Sequence, residues 1–287
     1  MNSPVTTALN EVLLNNSPLG PLGLWAVASA VVVPLTIYRQ GFAFSVGYGL
    51  SIAGMALYLM QAFAGTAAAN NSLVLAAAFY GLRLGSYLFL RNQKSPKKSA
   101  QLKTFDKSPH PQRVPFAVSV SLFYAFMATP VLYVLRATAA DAAATSANTI
   151  LKIGTGMAWA GAFLEAIADY QKFFAKQKQK PEDDGKYVGP TSGVYQLTRH
   201  PNYTGEVCFW LGIFVSGTPF LASAGSMTNK VVGWLCSVLG VYGIVSLMSN
   251  ASKRLDERQK ESYGGQEAYD AYRSNVKAPI FPFVNAE

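Results

Sequence analysis

Residues Gly193 to Glu206 read GVYQLTRHPNYTGE, a polar stretch that runs directly into an apolar helix. Pro201 stands where a first helical residue is expected, because its missing N–H and fixed φ cost nothing there. The helix that follows, Tyr203 to about Leu221, opens with unpaired backbone N–H groups and the positive end of its dipole. Arg199, His200 and Asn202 beside that end make the arrangement of an anion site, phosphate above all. Glu206 lies one turn inside, where an ionisable group in an apolar helix is expensive and marks function. The bland alternative is a solvated loop closed by an ordinary cap.

Two further clusters carry chemistry-bearing side chains. Glu165 and Asp169 are four apart and share one helix face, which Lys172 and Lys176 continue. They read either as a salt-bridged edge with snorkelling lysines or as a hydrogen-bonding wall for hydroxyl groups such as those of ribose. Tyr80, Arg83 and Tyr87 fall at i, i+3 and i+7, a polar stripe on an otherwise apolar helix. Arg83 either pairs with an intramembrane acid such as Glu206 or anchors a ligand, with Tyr80 or Tyr87 as a proton donor.

The elements that position these clusters are membrane helices. Half the residues are hydrophobic and 14% are charged, against roughly 25% in soluble globular chains. Seven apolar runs, at about 22–38, 42–64, 72–90, 114–135, 150–170, 203–221 and 231–249, are each long enough to cross a hydrocarbon core of roughly 30 Å. The expected class is therefore all-α, a polytopic integral membrane protein of about seven transmembrane helices. Alternate connections hold 20 of the 24 Lys and Arg residues. The positive-inside rule then places the N-terminus lumenal or outside and the C-terminus in the cytosol. The divisions are an N-terminal segment 1–21, a helical domain 22–249 and a cytosolic tail 250–287.

The net charge of +9 follows from this loop topology, and no nucleic-acid motif accompanies it. Two histidines and two cysteines, Cys208 and Cys236 inside spans, offer no metal-ligand cluster. Residues 1–21 lack the basic start of a signal peptide, so the first span is expected to direct insertion. The 91–113 connection, with Pro96, Pro109 and Pro111, reads as an irregular solvated loop. The tail reads as a helix, a Gly264–Gly265 break, a second helix and an aromatic end, Pro279-Ile280-Phe281-Pro282-Phe283. That aromatic load points to packing over the cytosolic face rather than disorder.

Arg199-His200-Pro201-Asn202-Tyr203, then Gly205, Glu206, Trp210 and Gly212, resembles a motif of the steroid 5-alpha-reductase C-terminal family. Sterol Δ14-reductases and isoprenylcysteine carboxyl methyltransferases share it. Glu165 to Lys172, Arg83-Leu84-Gly85 with Arg91, and Leu255-Asp256-Glu257-Arg258 … Tyr263-Gly264 … Tyr269 … Tyr272 … Pro282 resemble its bacterial and plant reductase-like subgroup. The likeness covers about 75–285 and is strongest from 160 onward. It implies a seven-helix membrane reductase that holds NADPH in a cavity opening to the cytosol. Asn202 and Glu206 match the family's cofactor-contacting N-x-x-x-E arrangement. Asp169 matches an acid on the preceding helix, and Glu165 stands where the steroid enzymes carry Asn. Arg199, His200 and Tyr203 belong to the same motif, while Arg254, Arg258 and Tyr263 align with cofactor-holding tail residues whose expected His is absent.

The chain departs from the steroid enzymes in lacking an adjacent Gln–Glu pair in its first three spans, since Gln61 is followed by Ala62. A 3-oxo-steroid substrate is therefore disfavoured, though not reduction itself. Three functions stay open. The first is an NAD(P)H-dependent reductase of a carbon–carbon double bond in a lipid that enters from the bilayer, in the endoplasmic reticulum if the source is eukaryotic. The second is an S-adenosylmethionine-dependent methyltransferase of the isoprenylcysteine type. The third is a non-catalytic lipid-binding membrane protein.

Overall fold

A computed structural model describes residues 20–281 except 107, 179–182 and 184, and the side chain of Lys97. The N-terminal segment 1–19 and the tail residues Pro282 and Phe283 lie outside the described residues. The described residues form ten α-helices: α1 Pro21–Tyr38, α2 Val46–Ala62, α3 Ser72–Lys94, α4 Pro96–Lys103, α5 His110–Ala140, α6 Ala142–Ala147, α7 Thr149–Gln177, α8 Pro201–Ser223, α9 Met227–Tyr263 and α10 Glu267–Asn275. Six of them are long and apolar enough to span a membrane, and α2 is a seventh, shorter apolar helix. Each expected span coincides with one of these seven helices. The protein is an all-helical polytopic membrane protein.

Sequence chemistry sets where the helices start. Asn71 caps α3 by accepting from Leu73 N–H at 2.9 Å, and Asn148 caps α7 by accepting from Leu151 N–H at 3.1 Å. Proline opens α1, α4 and α8, where no N–H is missed. Two expectations change. The 91–113 connection is largely helical: Ser95 caps α4 through Lys98 N–H, and Pro96 starts it. Proline at a first turn begins a helix, so the proline count there signalled starts rather than irregularity. The seventh span and the first tail helix are one 37-residue helix, α9, because the polar 250–263 stretch contains no breaker before Gly264. The chain then turns at Gly265, whose φ of +85° suits glycine, into α10.

The chain divides into two compact units, one of residues 20–158 with Leu211–Val241, the other of Trp159–Trp210 with residues 242–281. In the first unit α1 packs on α5 and α2, and α2 packs on α3. Gly49, Gly81 and Gly85 let α2 and α3 touch backbone to backbone, since a Cβ on Gly81 would lie 2.6 Å from Gly49 O. Small residues at such crossings are how helices associate in lipid, where apolar burial gives no driving force. Pro130, inside α5, is met by Gly217 of α8, where a Cβ would come within 2.5 Å of the proline ring. The second unit holds the GVYQLTRHPNYTGE stretch, the acid pair and the tail.

Candidate functional site

The first turn of α8 is built by a strap from the C-terminal tail. Arg199 N–H donates to Ala278 O and His200 N–H to Pro279 O, both at 2.9 Å. Thr204 Oγ1 donates to Ile280 O at 2.5 Å. Arg199 Nη1 donates to the carbonyls of Val276 and Lys277. Its Nε and Nη2 reach the Asp256 carboxylate at 3.1 and 2.5 Å. His200 Nε2 meets the other oxygen of Asp256 at 2.6 Å. All three side chains are buried, the Arg199 side chain to 3% exposure. Most of the donors that the sequence offered to an anion are thus spent on Asp256 and the strap, so the pair works first as a latch.

Electrostatics of the latch fix its protonation. Burial pushes His200 below its ordinary 6.5, outweighing the opposing hydrogen bond and charge of Asp256, and nearby Lys172 and Arg199 push the same way. Burial raises Asp256, but the hydrogen bonds and charges of His200 and Arg199 outweigh it and hold the carboxyl well below the usual range. At neutral pH the trio is a guanidinium, a carboxylate and a neutral imidazole whose Nε2–H donates. The unfolded chain therefore takes up the His200 proton before the folded one does as pH falls below 6.5, and stability drops in that window. Asp256 adds a second loss below its ordinary 3.8. The unfolding midpoint is expected to fall between pH 7.5 and 5.5, with His200→Gln shallower; a flat wild-type profile would refute the latch assignment.

Beside the latch lies a basic cleft lined by Lys172, Lys176, Lys186 and Arg199, with Tyr187, Tyr263 and Gln259 among its other walls. Its cavity volume is about 60 Å³, room for a few water molecules. Whole small-molecule sites run to roughly 300–1,000 Å³, so the cleft is much smaller than such a site. Tyr187 rests edge-on against Tyr269, with ring centroids 5.1 Å apart. Its N–H donates to Gln266 Oε1, and Gln266 Nε2 donates back to Gly185 O. Burial, reinforced by Tyr272, Tyr269 and Tyr263, holds the Tyr187 phenol above its ordinary value. It stays a neutral donor.

The acids are placed by a helix crossing. Gly161 of α7 and Gly205 of α8 bring the two backbones into contact: a Cβ on Gly161 would lie 2.5 Å from Gly205 O, and one on Gly205 would lie 2.5 Å from Glu165 N. Glu165 thus abuts the residue preceding Glu206. Glu165, Asp169 and Glu206 are all buried. Asn202 lies in the first helical turn, not at the cap, with its Oδ1 buried and without a hydrogen-bond partner among the described residues. Tyr203 is half-buried, 5.7 Å ring to ring from His200.

In the first unit, Tyr80 is fully buried and shares a 3.2 Å hydrogen bond with Tyr48. Arg83 stands 5.7 Å over the Tyr80 ring, and Arg91 lies 5.4 Å over Tyr87. Arg83 and Tyr87 are half-buried, so the stripe runs outward from Tyr80. Gln61 sits exposed near the far end of α2, eight residues beyond the Ala53 contact with Gly81.

Two of the expected residues lie apart from the cleft lining, and others join it. Arg254 and Arg258 are exposed, because each lies two residues from Asp256 and so about 200° round the helix from it. Gln259 and Tyr263 reach the cleft instead. Asp256 was legible only as a member of the tail motif. Its signal is an acid at helical spacing, three and seven residues, from Gln259 and Tyr263. Lys172 and Lys176 were seen as neighbours of the acid pair and not as cleft walls.

These features define a polytopic membrane protein with a small basic cleft beside a strapped helix start. The chain belongs to the DUF1295 family, whose model, described as a protein of unknown function, matches residues 23–276. This is a family of membrane proteins that includes steroid 5-alpha-reductase-like members. No curated protein and no solved structure matches the chain.

Proposed function

We propose that this chain is a membrane-embedded reductase of the steroid 5-alpha-reductase-like kind, using NADPH to saturate an electron-poor carbon–carbon double bond of a lipid drawn from the bilayer. The observation that carries the reading is the cleft, a small space lined by three lysines and Arg199, whose charge suits a phosphate group of a nucleotide. The neighbouring residues suit the rest of a dinucleotide. Asn202 Oδ1, three residues from Arg199, is a buried acceptor without a partner among the described residues. Such a group costs about 1–3 kcal/mol unless a donor meets it, and an N–H or O–H of a nucleotide would. Glu165, Asp169 and Glu206 form an acidic wall suited to ribose hydroxyls. Arg254 and Arg258, on the exposed side, drop out of the set.

Bound there, a reduced nicotinamide supplies hydride to the double bond. The protein's part is to hold the phosphate, orient the ring and deliver a proton. The candidate donors remain those of the sequence, Tyr80 with Arg83 over its ring and Tyr87, all in the first unit. The cleft opens on the side that the charge pattern assigns to the cytosol.

Thermal unfolding of the detergent-solubilised protein tests the reading. A ligand at a hundred times its Kd stabilises by about 2.7 kcal/mol, so NADPH is expected to raise the midpoint by several degrees. Lys172→Ala/Lys176→Ala should weaken binding tenfold or more, as hydrogen bonds to charged groups are worth about 1.5–3 kcal/mol. Asn202→Ala should weaken it several-fold. A shift with S-adenosylmethionine and none with NADPH or NADH would replace this reading with the methyltransferase one. No shift with any of the three would favour a non-catalytic lipid binder.

A further inference from the structure

Residues 20–140 contain a single acid, Asp106, among ten Lys and Arg residues. That acid is already committed: it accepts from Gln40 N–H at 2.7 Å and lies 3.6 Å from Arg113. The corner where α1, α2, α3 and α4 end or begin therefore carries far more cations than acids within this stretch of chain. Orientation alone does not require this. In the 171–199 and 250–281 stretches, on the same side, acids such as Asp183, Asp256, Glu257, Glu261, Glu267 and Asp270 interleave with the bases.

The shape of this corner adds a second observation. Helix α4 is held under the α1–α2 turn, with Arg39 Nη1 on Ser99 Oγ at 3.3 Å and Leu102 against Gly41. Its inner face is thereby occupied, and Lys94 and Lys103 point outward, exposed. The α1–α2 turn and the end of α4 also carry large exposed aromatics: Tyr38 at 70%, and Phe44 and Phe105, which meet edge to face at 4.9 Å. Aromatic rings beside lysines, at the level where spans end, are the chemistry of a bilayer interface. An acidic protein partner would need the cations but not the apolar rings.

We infer that this corner is an interaction surface for anionic phospholipid headgroups of the adjoining leaflet, with Lys94 and Lys103 as its outer contacts. The attraction is screened by salt and fades within a Debye length. It does not depend on the reductase reading.

The test uses the full chain in a neutral detergent with soluble dioctanoyl phosphatidylglycerol, dioctanoyl phosphatidylcholine or inorganic phosphate. Phosphatidylglycerol is expected to raise the unfolding midpoint, phosphatidylcholine and phosphate are not, and added salt should diminish the effect. Lys94→Gln and Lys103→Gln should each raise the phosphatidylglycerol needed by roughly fivefold, leaving the lipid-free midpoint unchanged. Lys172→Ala/Lys176→Ala should keep the lipid response, which separates this surface from the cleft. Equal response to both lipids, an equal response to phosphate, or an unaltered response in the Lys94→Gln/Lys103→Gln protein would overturn the assignment.

Discussion

Asp256→Ala is expected to lower the unfolding midpoint of the detergent-solubilised protein by about 10 °C and to expose the 276–280 strap to protease. The carboxylate is the counter-charge of Arg199, whose side chain is 3% exposed, and the acceptor for His200. Removing one partner of a buried pair costs about 3–5 kcal/mol, because the remaining charge stays buried. A domain of this size moves by roughly 2–4 °C per kcal/mol. Arg199→Ala has a comparable effect for the mirrored reason and also frees the carbonyls of Val276 and Lys277. The double variant should lose clearly less than the sum of the two, since neither then strands a charge. A loss under about 3 °C with unchanged cleavage of the strap would show that the trio does not hold the tail. The cleft should loosen with the strap, because Arg199 belongs to both.

The contrast between what the sequence carried and what it did not is visible in these same residues. Apolar length alone located all seven apolar helices, because lipid leaves the backbone no other way to satisfy itself. The start of α8 at Pro201 and the burial of Glu165, Asp169 and Glu206 were legible from local spacing. The role of Arg199 was not. An Arg-His pair at a helix start reads as an anion site whether the anion is a ligand or Asp256, and the choice is made 57 residues downstream. The exposed positions of Arg254 and Arg258 were hidden for a related reason: charge was legible, but helical phase became so only once Asp256 fixed the inward face. The 250–263 stretch looked like a separate tail helix because hydropathy changes there, yet hydropathy does not break a helix and glycine does. The crossing of α7 on α8 left a signal that composition hides, Gly154 and Gly161 in one helix and Gly205 and Gly212 in the other, each pair seven residues apart.

Gly161→Ala is expected to lower the unfolding midpoint by about 6–12 °C, far out of proportion to one methyl group. The added Cβ meets Phe209 N and Gly205 O, backbone atoms that no rotamer change can move aside. Overpacking into side chains costs typically 1–3 kcal/mol, and a backbone obstacle puts this site at the top of that range. Gly205→Ala meets Glu165 N and Cα in the same way and should behave alike. Gly156→Ala on the same helix is the control, since its Cβ meets nothing within 4 Å. It should be neutral or stabilising by roughly 0.5–1 kcal/mol through helix propensity. If Gly161→Ala matched the control, the contact that sets Glu165 against α8 would be wrong. If the variant folds with its helices prised apart, Glu165, Asp169 and the cleft lysines Lys172 and Lys176, all on α7, shift together against Arg199 and the start of α8. NADPH should then still stabilise the protein, but with weaker affinity, and Lys172→Ala/Lys176→Ala should cost less binding in that background than in the wild type.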